Sequence, residues 1–316
     1  VRDDRPHPNP KETYAVADRV RVVLDCDTAN EIDDQFAIAY ALGCPDLDVL
    51  AVVSVQNTLA SGRGSVERYV EEARRMVALC GRDDVRCLPG AARPMETPFD
   101  GVPSEGLDFL VEQARAGPLT VLATGPATDI ASLALLDPPL RAGVRVVWAG
   151  GFPDEQTWQR HKFGELNARA DIAAWRGVFG SDLPLVLLTG WPGVEKVAVP
   201  WREYVGDLRS IGAPVTDYLG QILQRWCGER AAVDMDASRG QRKVLWDVVN
   251  VALLRNPTWV TLRHQGLPLI DPAGSPDWTR PVRETDVGID VDAESVLADL
   301  WQALSSYAPR GVEPRT

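Results

Sequence analysis

The chain has 316 residues, 45% of them hydrophobic, enough for a sizeable buried core in one large α/β domain or two ordinary ones. Its 45 acidic residues against 33 basic ones give a net charge of -12, which argues against nucleic-acid or anionic-membrane partners, and no stretch of sequence approaches the roughly 18 apolar residues of a membrane span. Five cysteines (Cys26, Cys44, Cys80, Cys87 and Cys227) are odd in number and lack the spacings of zinc ribbons or disulfide scaffolds, a pattern that suits reduced thiols in a cytoplasmic protein.

Residues 1–19 are charged and proline-rich instead of signal-like and read as a loose extension. Val22, Val23 and Leu24 then form an apolar run that suits a buried parallel strand. It delivers Asp25, Asp27, Asp33 and Asp34 into a turn, from which a helix departs with Phe36, Ala37, Ile38, Ala41 and Leu42 on one stripe and Gly43 as a left-handed stop. Helix capping explains one or two acids at such a place. Four within ten residues repel one another, and a hard, oxygen-seeking divalent ion offsets that repulsion most directly.

A second strand over 48–55 ends at Gln56, Asn57 and Thr58, and helical spacing runs from Val66 to Cys80. Cys87 and Leu88 suit a short strand, Ser104 begins a helix that Gly117 stops, and the strand over 119–124 breaks at Gly125-Pro126 into a helix capped by Thr128. Residues 144–148 and 183–188 continue the alternation. The expected architecture is therefore a single Rossmann-like domain over 20–316, with a mostly parallel central sheet flanked by helices and a site at the carboxyl ends of the strands. Beyond Trp191 the pattern is more helical, over 215–226, 245–254 and a terminal helix capped by Asp292, while the polar segment 228–243 suits a loop or lid. Trp148, Trp175 and Trp301 fit packing positions; Trp158, Trp191, Trp226 and Trp246 fall near the loops of the expected site.

Polar residues close several strands or open helices: Asn57, Thr124, Glu165, Asn167 and Asp247. Singly, each has a dull role in a turn or a helix entry. Together with Asp25-Cys26-Asp27 and Asp33-Asp34, the strand ending at Asn57, the segment 122–138 (LATGPATDIASLALLDP), the Glu165-Leu166-Asn167 stretch and Trp246-Asp247, they resemble, in order, the motifs of the inosine-uridine type of nucleoside hydrolase.

That resemblance implies calcium held by Asp27, Asp34, the Thr124 carbonyl and Asp247, with Asp27 also the general base toward a metal-activated water. It implies ribose contacts from Asp33, Asn57, Glu165, Asn167 and Asp247, a nucleoside substrate and a homodimer or homotetramer. Three departures stand out. The turn from Thr28 to Ile32 is two residues longer than the family's commonest form, which makes it bulge and brings Asn30 or Glu31 toward the site. Gln56 replaces a glycine. Trp246 stands where several members carry the histidine that protonates the leaving base, so stacking on Trp246, or a donor such as His161, Asp234 or Asp236, takes over that task. Alternatives are a hydrolase of an unusual N-riboside or of a phosphorylated one, the phosphate received by Arg160, Lys162 or Arg169, and a non-catalytic protein that binds ribose through its metal.

Overall fold

A computed structural model describes residues 19–231 and 241–309 of the chain. The expected extension, Asp234, Asp236 and most of the 228–243 segment lie outside the described residues. The central sheet has eight strands: β1 (Val20–Cys26), β2 (Leu47–Ser54), β3 (Arg86–Pro89), β4 (Leu119–Ala123), β5 (Val144–Ala149), β6 (Leu185–Leu188), β9 (Val260–Ile270) and β10 (Pro276–Val291). Their order is β3-β2-β1-β4-β5-β6-β10-β9, and every pairing is parallel except that of β9 with β10. Two further strands, β7 (Ala198–Pro200) and β8 (Arg242–Val244), pair antiparallel in a small sheet of their own.

The alternation of side chains along β1 explains why its sequence is apolar without a break. Val22, Leu24 and Cys26 join one buried cluster with Phe36, Tyr40, Val249 and Leu300, while Val23 joins the opposite cluster with Phe109, Ile130 and Trp175. Helices cover both faces of the sheet. The chain winds outward from β1 through β2 to β3, then returns to β4 on the other side of β1 and winds through β5 to β6. That reversal opens a crevice beyond the carboxyl ends of β1 and β4, where ligands of open α/β sheets collect.

Several expectations change on inspection of the elements. The helix Asp33–Gly43 is buried from Asp33 to Leu42, so it is enclosed on all sides rather than striped. Gly43 is no left-handed stop: it lies within the helix, and a Cβ there would come 2.9 Å from the carbonyl oxygen of Ala303, so its role is close approach to the terminal helix. Thr128 is the first residue of its helix instead of the cap; its hydroxyl donates to Asp171 Oδ2 and accepts from Gln56 Nε2. Residues 260–291 form a long antiparallel hairpin where the sequence reads as more helical, and the helix Trp201–Ile211 also went unanticipated. Ser104 and Asp292 do cap their helices, accepting from the backbone N–H of Leu107 and Ser295.

Candidate active site

The ends of β1, β2 and β4 are locked to one another by backbone bonds. Val55 donates to the carbonyl of Cys26, and Thr124 donates to the carbonyl of Asp25 at 2.8 Å. Gly125 follows because a Cβ there would stand 2.5 Å from Val55 Cγ1 and 3.1 Å from the amide nitrogen of Asp27. The lengthened turn does bulge: Ala29 adopts φ 75°, and the Asn30 N–H donates back to the carbonyl of Asp27 at 2.9 Å.

A cavity of about 100 Å³, open at its mouth, lies over these strand ends. Asp27, Asp33, Asp34, Thr124, Glu165, Asn167, Trp246 and Asp247 all line it, as do Asn30 and Glu31 from the bulge. Two expected residues stand behind this surface. Asn57 is fully buried and donates through Nδ2 to Asp27 Oδ2 at 2.5 Å, while its Oδ1 caps a short helix at Ala60. Asp25, the first acid of the cluster, is also fully buried, with neither carboxylate oxygen bonded. Three of the four clustered acids therefore face the cavity, because the strand ends at Cys26 and the chain turns before Asp27.

The remaining contacts fix the polar groups individually. Asn30 Nδ2 also donates to Asp27 Oδ2, at 3.2 Å, and the Thr124 hydroxyl donates to Asp34 Oδ1 at 2.6 Å. Asn167 Nδ2 bridges the carbonyls of Thr124 and Ala149, at 2.7 and 2.9 Å. On the other face, Asn250 Nδ2 bridges the carbonyls of Ala123 and Val147, at 3.2 and 3.0 Å. These two amides staple β4 to β5 just where the strands part. Asn250 carried no motif to announce it; a buried asparagine inside an apolar helix, next to Asp247, was its one signal.

Burial dominates the electrostatics. It pushes Asp27 up to about 6, offset by the hydrogen bond from Asn57, and Asp33 up to about 7 against the pull of the Lys243 ammonium. Asp34 and Asp247 rise well above the usual carboxylate range, first through burial and then through the charges of the neighbouring aspartates. Burial also takes Glu165 up to about 7.

Aromatic rings form the outer wall. Trp191 meets Trp246 edge to face, with centroids 5.1 Å apart, and both line the cavity. His161 does not line it; its ring stacks on Trp191 at 4.5 Å. Trp158 packs against the core and Trp226 lines a separate groove, so of the four tryptophans expected near the site two reach it. Arg160, Lys162 and Arg169 are absent from the cavity wall, and Arg169 donates to the carbonyl of Phe163 instead.

Residues 22–302 match the family described as inosine-uridine preferring nucleoside hydrolase. The chain belongs to that family. The pyrimidine-specific ribonucleoside hydrolase RihA of Klebsiella pneumoniae is 27% identical over 91% of this chain and 99% of its own. RihA of Escherichia coli O7:K1 is 29% identical over 64% and 70%. Among solved structures, the purine-preferring ribonucleoside hydrolase from Gardnerella vaginalis superposes with a TM-score of 0.73 at 21% identity, covering 91% of this chain and 99% of that one. A plant nucleoside hydrolase gives 0.70 at 19% identity, over 92% and 99%. At such identities the structural likeness speaks for the fold. As a nucleoside hydrolase, the protein is an enzyme acting on N-glycosyl bonds of ribonucleosides, in a metal-dependent family.

The residues on the cavity floor fit a hard cation. Three buried carboxylates (Asp27, Asp34 and Asp247) and the Thr124 carbonyl offer oxygen donors alone, and the burial and mutual repulsion that lift Asp34 and Asp247 are what a divalent ion would offset. As the side chains stand, no group of three or more His, Cys, Asp or Glu among the described residues forms a metal-holding cluster. Asp27 and Asp34 are instead held by Asn30, Asn57 and Thr124.

Proposed function

We propose that the enzyme hydrolyses the N-glycosidic bond of a ribonucleoside in a calcium-dependent reaction, releasing free base and ribose, with Asp27 as general base. One observation carries this: Asp27, Asp33, Asp34 and Asp247, drawn from elements more than 200 residues apart, share a single cavity with Glu165, Asn167 and Trp246. Asp27, Asp34, Asp247 and the Thr124 carbonyl would hold calcium, which when bound supplies an acidified water and a grip on sugar hydroxyls.

Asn57 and Asn30 fix Asp27 Oδ2 and so orient the carboxylate that accepts the proton. Asn57 acts on the ribose side of the site together with Asp27. Asp33 and Asp247 take secondary hydroxyls of the ribose, and Glu165 and Asn167 take its 5′-hydroxyl. The carboxylates beneath the ring favour the positive charge that develops on the sugar as the bond to the base breaks. Trp246, backed by Trp191, offers the leaving base a stacking surface that favours its protonation from solvent. The wall of the cavity carries no arginine or lysine among the described residues, which favours an unphosphorylated riboside over a phosphorylated one.

The proposed catalytic unit spans 20–316 and acts as a homodimer or homotetramer in the cytoplasm. Among the described residues no helix is long and apolar enough to cross a membrane. The test is release of ribose from a panel of purine and pyrimidine nucleosides, with calcium and with a chelator. Turnover that the chelator abolishes and calcium restores is expected. Binding without turnover would establish the non-catalytic alternative, and turnover indifferent to the chelator would remove the metal.

A further inference from the structure

Lys243 is a buried cation that the proposed chemistry leaves unused. It lies on β8 and is 6% exposed. An ammonium shut away from water is costly unless it is paired and hydrogen-bonded. Here Nζ donates to Glu31 Oε1 at 3.1 Å and to the Val244 carbonyl at 2.6 Å, and stands 3.8 Å from Asp33 Oδ2. Both carboxylates belong to the stretch that closes the bulged turn, with Ile32 between them. Lysine and turn meet from positions about 210 residues apart.

The geometry at Asp33 is one-sided. Its Oδ2 accepts the Trp246 N–H at 3.3 Å and faces the Lys243 ammonium, so two groups from the segment leading out of β8 act on the same oxygen. An aspartate has two side-chain torsions, and engaging one oxygen orients the plane of the whole carboxylate. Asp33 also lines the cavity. Lys243 itself does not line that cavity, whereas Glu31 does. Without the ammonium, Asp33 would keep only its bonds to backbone N–H groups and face the negative charges of Glu31 and Asp27 uncompensated.

We propose that Lys243, braced by Glu31, is a positioning residue for Asp33: it holds one carboxylate oxygen so that the other meets a sugar hydroxyl, and thereby sets the preference for ribosides over deoxyribosides. This rests on the hydrolase function proposed above. Lys243 acts through Asp33 and touches no substrate. A purely structural ion pair tying β8 to the turn would affect every substrate alike.

The experiment compares kcat/KM of the wild type, Lys243→Met and Glu31→Gln on a ribonucleoside and on its 2′-deoxy and 3′-deoxy counterparts, with calcium present. For Lys243→Met the expected loss on the ribonucleoside is about 10- to 100-fold, the scale of one charge-assisted hydrogen bond. At least one deoxy substrate should change by less than about threefold, because the hydroxyl that Asp33 takes is already missing from it. Glu31→Gln should move the same ratio in the same direction by less. Where circular dichroism shows Lys243→Met to be unfolded, Glu31→Gln carries the test with the same outcomes. Equal losses on all three substrates, or no loss on any, overturn the role of Lys243 alone. A wild type that releases no base from any of the three overturns the hydrolase proposal and this one with it.

Discussion

Without the proposed calcium the protein's stability should fall as pH rises, and the buried acids set the size of the effect. Asp27 is held at about 6 in the fold against an ordinary value of 3.8, chiefly by burial. A carboxyl raised in the folded state favours folding fully at pH below its unfolded value, and that contribution is lost as pH climbs through the folded value. For Asp27 alone the loss from about pH 2 to pH 7 is roughly 3 kcal/mol, at about 1.4 kcal/mol for each pH unit separating the two values. In a chain of this length that amounts to roughly 5 °C in melting temperature. Asp33, held at about 7, adds to the same slope over a slightly higher window. The assay is thermal unfolding in a chelator from pH 4.5 to 7.5, repeated with excess calcium and with Asp27→Asn. The proposed calcium would bind the ionised acids, so its stabilisation should grow with pH, and Asp27→Asn should flatten the chelator series. A chelated wild type whose melting temperature is level or rising from pH 5 to 7.5, or a calcium shift that is the same at both ends, would refute the reasoning.

Three further outcomes test separate parts of the site. Asp247→Ala should abolish calcium binding in titration calorimetry and lower kcat by about a thousandfold or more, because it removes a proposed ligand that also contacts the sugar. Trp246→Ala should leave the melting temperature within a few degrees while lowering kcat/KM about 10- to 100-fold, the effect of losing a stacking surface; an unchanged kcat/KM would return this indole to a packing role. Gly125→Ala forces a methyl to within 2.5 Å of Val55 Cγ1 and close to the Asp27 amide, so chemical denaturation should show a loss of about 1–3 kcal/mol together with reduced kcat.

The parallel core of the fold was legible because its strands are short apolar runs with polar ends. β2, β4 and β5 emerged nearly residue for residue, as did the caps at Ser104 and Asp292. The hairpin of β9 and β10 was hidden by its composition. It carries Pro276 and Pro281 and alternates charged residues on an exposed ribbon, so neither a buried run nor a clean two-residue period marks it. Pro281 sits at an irregularity in the ladder, where a missing N–H is tolerated.

The site divides along a similar line. Residues at the tips of strands could be found because a polar side chain ending an apolar run has few reasons to be there, and Asp27, Asp34, Thr124 and Asp247 do reach one cavity. Asn30, Asn57 and Thr124, which hold Asp27 and Asp34, could be named from the sequence too; what stayed hidden were Lys243 and Asn250. Lys243 belongs to a three-residue strand inside a polar segment, and its meaning depends entirely on Val199, its partner across the small sheet, and on Glu31 in the distant bulge. Asn250 looks like a fault in an apolar helix until the carbonyls of β4 and β5 come into view. The two cases share a cause. A residue that touches substrate must sit where the backbone of the fold delivers it, which leaves a trace in local spacing; a residue that braces another can come from any element that packs nearby. Supporting interactions are therefore written in contacts rather than in sequence period, and in a cavity this acidic they decide which oxygen each carboxylate presents.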